Sequence, residues 1–204
     1  MVTDMIENLK KSIAAGMMIC VGAAIYLALD NKVVGAFMFS IGLFTICFFG
    51  MNLFTGKVGY VISSRNDPNV LIVWLGNLIG CVVSAALIRI AKPGFVETAA
   101  GMMEKKFAQT APQTIILAFF CGILMYVAVE NYRANKNDVA KIMGILLCVP
   151  TFILCGFEHS IADMCYAAFA VTSVSDALRS LVYVLLVSVS NAAGALTVRY
   201  LTQK

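Results

Sequence analysis

The stretch LCGFEHSIADMC, residues 154–165, places the chain's one histidine, His159, beside Glu158 in otherwise apolar sequence. It belongs to a segment, residues 142–175, in which Glu158, His159 and Asp163 are the only ionisable groups apart from cysteine and tyrosine. A single helix of that length would measure ~51 Å at ~1.5 Å per residue, whereas the hydrocarbon core of a bilayer is ~30 Å thick. We therefore predict a break at GFEHS, residues 156–160, with a second half-helix beginning at Ser160.

The composition indicates that a bilayer is the relevant solvent. The 204 residues are 61% hydrophobic and 13% charged, with a mean hydropathy of +0.89, whereas an ordinary soluble domain is roughly 45–50% apolar. Six runs carry no Asp, Glu, Lys or Arg and approach or exceed the length that crosses a membrane: 12–29, 33–56, 70–88, 111–129, 142–157 and 180–198. The chain is expected to cross the membrane several times.

A second segment is also too long for one straight span. Residues 33–64 carry Lys57 as their only charge and would form a helix of ~48 Å, so a break is predicted at LFTGK, residues 53–57. Outside the breaks the two halves echo one another: residues 14–29 resemble 119–130, and GNLIG at 76–80 is answered by SNAAG at 190–194.

Three helices in each half make the second half enter the membrane from the opposite side. The predicted fold is an all-α membrane protein with six transmembrane helices in two inverted three-helix repeats, the second helix of each repeat being broken, as in an aquaporin-like architecture. The chain forms a single transmembrane domain over residues 1–204, with repeats at about 12–91 and 111–200 joined by a loop at about 92–110. Lysine and arginine are more frequent on the side of the two termini, which predicts that both termini are cytoplasmic.

Broken backbone at membrane depth needs hydrogen-bond partners. Asn77 and Asn191 recur at matching places in the two halves, and their amides can both donate to carbonyls and accept from N–H groups of a neighbouring loop. The alternative is that they bind helix to helix, as asparagine does in membranes. Gly56 and Gly156 lie within the predicted breaks, where glycine permits backbone dihedrals closed to other residues.

Several function classes have no support in the sequence. The seven cysteines lie in apolar helical segments, so no disulfide framework is expected, and Cys155, His159 and Cys165 fit no closed zinc pattern. The chain has no basic run interleaved with aromatics for nucleic acid, no set of catalytic residues for an enzyme, and no residues that predict a cofactor or metal. The first apolar run lacks a cleavage pattern and is expected to remain in the mature protein.

FFGMNLFTGK at 48–57, GFEHS at 156–160 and the trailing NAAGALTV at 191–198 resemble the formate/nitrite transporter family, and within it the hydrosulfide channel branch. The resemblance implies a homopentamer in the cytoplasmic membrane, contacting lipid, with one pore per protomer for small inorganic or organic anions of weak acids. It places the central pore at His159 and Thr55, and the vestibule lysines at Lys106 and at Lys10 or Lys11, of which Lys11 is favoured. The implied hydrophobic constrictions are Phe39, Leu43, Leu53, Phe54 and Phe152.

Three positions depart from the family pattern. Asn52 stands where many members have an acidic residue, Gly122 where the fourth helix often carries an asparagine facing the histidine, and Lys57 follows the first break. These departures favour a small anion other than formate, and the resemblance to the hydrosulfide channel branch makes hydrosulfide the expected ion. A proton-coupled formate/nitrite carrier is the alternative, whereas a water or glycerol facilitator is disfavoured because the chain contains no Asn-Pro-Ala.

The central imidazole suits an anion because it presents an N–H donor whether neutral or charged, and it titrates near pH ~6.5 when unperturbed. His159 could hydrogen-bond the anion or lend it a proton. Glu158 is expected to support the break, by accepting from backbone N–H groups, by lying near the half-helix N-terminus, or by holding the imidazole. Asp163 lies on the same face of that half-helix and could reach His159, face the mouth or face a subunit contact.

Overall fold

The computed structural model describes residues 2–61 and 69–202, and these contain helices and no strand. The helices are α1 (Val2–Ala28), α2 (Lys32–Phe48), α3 (Phe54–Lys57), a 3₁₀ turn (Val58–Tyr60), α4 (Val70–Ala91), α5 (Phe95–Phe107), α6 (Ala111–Ala134), α7 (Asp138–Leu154), α8 (Ser160–Ala170) and α9 (Val174–Thr202). Residues 62–64, the end of the long segment predicted from residue 33, lie outside the described residues.

The molecule is a multi-pass membrane protein. Among the described residues, α1, α4, α6 and α9 are long and apolar enough to cross a bilayer, and α2 and α8 are shorter apolar helices. Large apolar side chains point outward along these helices, as Ile90 at 81% and Val189 at 70% exposure illustrate. A soluble protein would not leave so continuous an apolar surface in water.

Two pairs of long helices pack at very short range. α1 lies against α4 and α2, α6 lies against α9 and α7, and α2 and α7 meet between the two groups. A Cβ atom at Gly80 would lie 2.1 Å from the carbonyl oxygen of Ile13, and one at Gly194 would lie 2.0 Å from that of Phe119. Each pair therefore approaches through glycine, as small residues allow in membranes.

The first interruption lies just before the predicted one. α2 ends at Phe48, Gly50 adopts a φ of +61°, and α3 begins at Phe54. The prediction of a break over 53–57 was therefore wrong by about four residues, because Gly50 rather than Gly56 turns the chain. Gly56 is helical, and what it supplies is space: a Cβ there would lie 2.8 Å from Val129 Cγ2.

The second interruption is displaced by a single residue and has the same construction. α7 ends at Leu154, Gly156 has a φ of +67°, and α8 begins at Ser160. In each break an N–H beyond the glycine closes the helix end, with Phe157 donating to the Phe152 carbonyl and Met51 to the Ile46 carbonyl, both at 2.9 Å.

The connecting loop expected over residues 92–110 is largely helical. α5 occupies Phe95–Phe107, carries Glu97 in its first turn and Lys105 and Lys106 in its last, and buries Ala99 and Met103. The acid and the two bases each stabilise the helix end that they occupy. α5 packs against α8, which brings Lys106 to the second interruption.

Candidate functional site

His159 caps the half-helix that follows the second interruption. It is the N-cap residue of α8, and its Nδ1 accepts the backbone N–H of Ala162 at 3.0 Å. Its Nε2 lies 2.8 Å from Thr55 Oγ1 on α3. His159 is 1% exposed and Thr55 0%, so the two interruptions meet through a buried polar pair.

The partners of the two imidazole nitrogens assign the tautomer. Nδ1 faces an N–H donor and must offer its lone pair, so the ring proton resides on Nε2. Nε2–H then donates to the Thr55 hydroxyl. The Thr55 hydroxyl, which accepts this bond, keeps its own hydrogen and is itself a donor. Protonating Nδ1 would place two N–H groups against each other and break the helix cap.

Aromatic and aliphatic side chains enclose this pair. The Phe152 ring stacks on the His159 ring with centroids 5.3 Å apart, and Phe39 meets Phe152 edge to face at 6.1 Å. All of the side chains expected at the constrictions are buried: Phe39, Leu43, Leu53, Phe54 and Phe152. The donors of His159 and Thr55 therefore lie in an environment from which bulk water is largely excluded.

Asn77 and Asn191 bind the two interruptions in the same way. The side-chain oxygen of Asn77 accepts the N–H of Phe54, and that of Asn191 accepts the N–H of Ser160, both at 2.9 Å. The amide nitrogen of Asn77 donates to the carbonyls of Ser12 and Asn52. That of Asn191 donates to Ala118 and Glu158, and these four bonds measure 2.7–2.9 Å. Each side chain thus bonds both the break and a long helix.

A cavity of about 550 Å³, which we call the His159 cavity, opens beside the imidazole and Phe152. Charged side chains of both signs line it: Lys32, Lys105, Lys106, Glu97 and Asp163.

Lys106, which lines the His159 cavity, is paired with carboxylates. Its ammonium contacts the Glu158 carboxylate and lies 2.9 Å from Asp163 Oδ1, and Gln109 Nε2 donates to Glu158 at 2.8 Å. The side chains of Lys106, Glu158 and Asp163 are 16%, 2% and 1% exposed. Both carboxylates thus contact the lysine, a partner that was not among the alternatives expected for either from the sequence. We call these three residues the lysine–carboxylate cluster.

A second cavity of about 220 Å³, the Leu53 cavity, lies beside Leu53 and Gly56. Its charged lining residues are Lys57 and Arg133. Lys11, favoured from the sequence as a vestibule lysine, lines neither of these two cavities, and its ammonium lies 2.7 Å from Glu7. Arg133 was missed by sequence reasoning, where it counted only as a loop cation beyond the run 111–129.

Helix packing explains why position 122 is a glycine. A Cβ at this position would lie 2.1 Å from the Asn191 carbonyl oxygen, because α6 and α9 are in contact there. No side chain fits without separating the two helices. The asparagine that the resemblance would place at this position therefore has no room in this chain.

Comparisons with known proteins agree with this architecture. A family model described as "Formate/nitrite transporter" matches residues 3–202. The chain is 26% identical over 148 residues to the formate channel FocA of Haemophilus influenzae, covering 66% of this chain and 52% of that protein. It is 27% identical over 179 residues to the formate channel FocA of Escherichia coli K12, covering 75% of this chain and 62% of that protein. The alignments thus span half to two thirds of these relatives' length.

A solved structure described as a "Pentameric formate channel with formate bound" superposes on the chain with a TM-score of 0.81. The match covers 98% of this chain and 96% of the other, at 22% sequence identity. At that identity the superposition shows a shared fold. These three proteins are described as channels, and none of them as an enzyme.

Proposed function

Because the chain belongs to the formate/nitrite transporter family, we propose that it is a channel for small monovalent anions of weak acids, with hydrosulfide as its favoured ion. The observation that carries the proposal is the buried contact between His159 Nε2 and Thr55 Oγ1. The His159 cavity is lined by His159 itself, and the Leu53 cavity is lined by Leu53 and Gly56, which flank Thr55 in the sequence. Two hydrogen-bond donors in an apolar constriction suit a small anion.

An anion in the constriction loses hydration free energy, and the two hydrogen-bond donors compensate part of that loss. A bare anion that leaves water for a medium of low dielectric loses hydration free energy of ~20 kcal/mol in the idealised Born limit, and still several kcal/mol after relaxation. Phe39, Phe152 and Leu53 provide no compensating polar group. Nε2–H of His159 contributes a hydrogen bond by exchanging Thr55 Oγ1 for the ion, and the hydroxyl of Thr55 contributes another; hydrogen bonds to charged groups are stabilising by ~1.5–3 kcal/mol.

Of the two roles open to His159, hydrogen bonding is supported by the geometry. The neutral ring has its one proton on Nε2, and losing it to the anion would leave an anionic imidazolate in an apolar site. An imidazolium, which could lend a proton, requires Nδ1 to give up the Ala162 N–H. We propose that the ion crosses bound to the neutral ring, and that any proton it gains comes from elsewhere.

The preference for hydrosulfide rests on the residues that depart from the family pattern. Asn52 is neutral where many members carry an acid, and its amide nitrogen lies 3.3 Å from Asn8 Oδ1. Gly122, on the fourth membrane-crossing segment (α6), has no side chain, and a Cβ there would contact Asn191 of α9. Lys57 adds a cation to the Leu53 cavity. These departures support a preference for a small anion other than formate.

We propose that the chain assembles as a homopentamer with one pore per protomer in the cytoplasmic membrane, with both termini cytoplasmic. The superposition on a pentameric formate channel supports the assembly. The matching interruptions and the matching bonds of Asn77 and Asn191 support two inverted repeats, each with a broken second helix. The chain crosses the membrane six times if α2 and α3 together are counted as one crossing, and α7 and α8 together as another.

A proton-coupled carrier is the second candidate, and the lysine–carboxylate cluster favours it. Two buried carboxylates share one ammonium beside the His159 cavity. A carboxylate at this place is a group that could exchange a proton with a passing anion. Accumulation of the anion above its electrochemical equilibrium, driven by a proton gradient, would identify a carrier.

Flux measurements in proteoliposomes test the proposal. Hydrosulfide, formate, nitrite and chloride are compared for wild type and for His159→Phe, with Cys155→Ser as an exposed control variant. We expect hydrosulfide to be fastest, chloride to be slow, and the His159 variant to be impaired for every permeant ion. Faster formate than hydrosulfide would overturn the ion preference. Equal flux in wild type and His159→Phe would remove the histidine from the mechanism.

A further inference from the structure

Two buried thiols that the proposed anion pathway does not use lie in contact with each other. The Sγ atoms of Cys81 on α4 and Cys165 on α8 are 3.2 Å apart, and both residues are 0% exposed. Neither residue lines the His159 cavity or the Leu53 cavity. Both are free cysteines, so the pair is in its reduced form.

Neighbouring backbone holds the Cys81 thiol toward α8. Its Sγ lies 3.6 Å from the carbonyl oxygen of Gly16 on α1 and 3.7 Å from that of Ile161 on α8. The Cys165 thiol donates to Cys81, since a thiol is both a weak donor and a weak acceptor. The thiol of Cys20, on α1, also lies near that of Cys165. Three helices thus bring thiols together, and the sulfur contact joins α4 to α8.

Oxidation of this pair needs a small movement. The sulfur atoms of a disulfide are ~2.05 Å apart, so Cys81 and Cys165 would approach by ~1.2 Å from their present 3.2 Å. Hydrogen peroxide oxidises one thiol to a sulfenic acid and is itself reduced to water. The second thiol then displaces the sulfenic hydroxyl, which leaves as water, and the S–S bond forms. Two thiols and one hydrogen peroxide thus give one disulfide and two water molecules.

The burial of the pair limits which reagents reach it. A charged reagent loses a large hydration free energy when it leaves water for an apolar interior, whereas an uncharged peroxide keeps no such charge to desolvate. The pair is therefore expected to react with hydrogen peroxide and to be protected from charged thiol reagents.

A bond between these cysteines would act on both interruptions. His159 is the N-cap of α8, and Cys165 lies on the same 11-residue helix, so drawing Cys165 toward α4 also displaces the imidazole. On α4, Cys81 follows one helical turn after Asn77, which binds the first interruption. The disulfide would join the helix that carries the imidazole to the helix that supports the opposite break.

We infer that Cys81 and Cys165 are a peroxide-sensitive thiol pair, and that their disulfide holds α8 in a position that slows anion passage. The reaction of the thiols rests on the sulfur contact and the burial of the pair. The effect on flux rests on the proposed channel function, so the chemistry and the flux are measured separately.

Peptide mapping tests the reaction of the thiols. The full chain with Cys47→Ser and Cys155→Ser, which remove the partly accessible and the exposed cysteine, is reconstituted in proteoliposomes and treated with hydrogen peroxide. After alkylation and proteolysis, mass spectrometry should find peptides joined through Cys81 and Cys165 that separate on addition of dithiothreitol. An anionic methanethiosulfonate should label neither cysteine. Absence of the linked peptides, or a link from Cys165 to Cys20 instead, would overturn the inference.

Formate flux measures the effect on the pathway, since hydrosulfide would itself reduce the disulfide. In the same background we expect peroxide to lower the flux about tenfold, as the loss of one hydrogen bond to the ion would, and dithiothreitol to restore it. Cys81→Ala and Cys165→Ala should each be insensitive to peroxide. Cys148→Ala, which removes a buried cysteine outside the pair, should retain the response.

The outcomes distinguish the thiol pair from the channel function. Linked peptides with unchanged formate flux would overturn the effect assigned to the disulfide while the channel proposal stands. A peroxide response that persists in both alanine variants would belong to another residue and would overturn the inference as well. A reduced protein that conducts none of formate, nitrite and hydrosulfide would refute the channel proposal, and the linked peptides would remain the measure of the thiol pair.

Discussion

The side chains of His159 and Thr55 meet through a 2.8 Å contact between Nε2 and Oγ1, although each follows a different interrupted helix. Each lies within two residues of the start of its half-helix, and each half-helix has its first N–H bound by an asparagine from a long helix. The polar centre is therefore built where two breaks face one another, and its geometry depends on both asparagines.

Replacing Thr55 by valine removes the hydroxyl while keeping the shape of the side chain. Since a hydrogen bond to an ion contributes ~1.5–3 kcal/mol, we expect anion flux to fall roughly 10- to 100-fold, and Thr55→Ser to retain most of it. Proteoliposome flux measures both variants, with Thr197→Val, an exposed threonine bonded to its own helix, as the control. Wild-type flux in Thr55→Val would mean that the hydroxyl does not contact the ion.

The assigned tautomer of His159 can be read directly, because the chain contains one histidine. In protein labelled with ¹⁵N-histidine and reconstituted in lipid, we expect Nε2 to carry the proton and Nδ1 to be unprotonated at neutral pH, since Nδ1 accepts the Ala162 N–H. Solid-state NMR distinguishes the two nitrogens by chemical shift. A spectrum of the imidazolium at neutral pH would contradict the assignment and restore proton donation by the ring.

The two amide side chains are expected to be among the most sensitive positions for stability. Asn191→Ala removes the partner of one buried N–H and two buried carbonyls, and each unsatisfied group costs ~1–3 kcal/mol. A loss of at least ~3 kcal/mol is expected, and the same for Asn77→Ala. Asn137→Ala is the control because Asn137 caps α7 at an exposed site, where the cost is ~1 kcal/mol. Thermal unfolding in detergent should rank the variants in that order.

Sequence reasoning found the features that repeat locally and missed those that depend on distant contacts. The excess length of two apolar segments, the glycine in each and the matching asparagines indicated the breaks to within one to four residues. The lysine–carboxylate cluster joins residues 52 positions apart, and Arg133 acquires its place through Tyr60. Neither has a signal in the local sequence. The helix over 95–107 was missed because its charges resembled those of a loop.

The lysine–carboxylate cluster predicts an asymmetry between its members. Lys106→Met leaves two buried carboxylates without their cation, and breaking a buried pair in this way costs ~3–5 kcal/mol. Asp163→Asn leaves Lys106 paired with Glu158 and should change stability much less. Thermal unfolding of both variants, and of Lys106→Met combined with Glu158→Gln and Asp163→Asn, tests this. The triple variant should recover most of the loss, and failure to recover would mean that Lys106 acts through packing instead of charge.

Gly122 predicts that the contact between α6 and α9 tolerates no side chain at that position. A Cβ would lie 2.1 Å from the backbone oxygen of Asn191, and the same asparagine binds the second break, so separating the helices would also displace Ser160. We expect Gly122→Ala to lower the unfolding temperature and the anion flux together. Gly101→Ala is the matched control, because nothing lies within 4 Å of a Cβ there. Should Gly122→Ala fold and conduct like Gly101→Ala, the close helix contact would not be what positions the break.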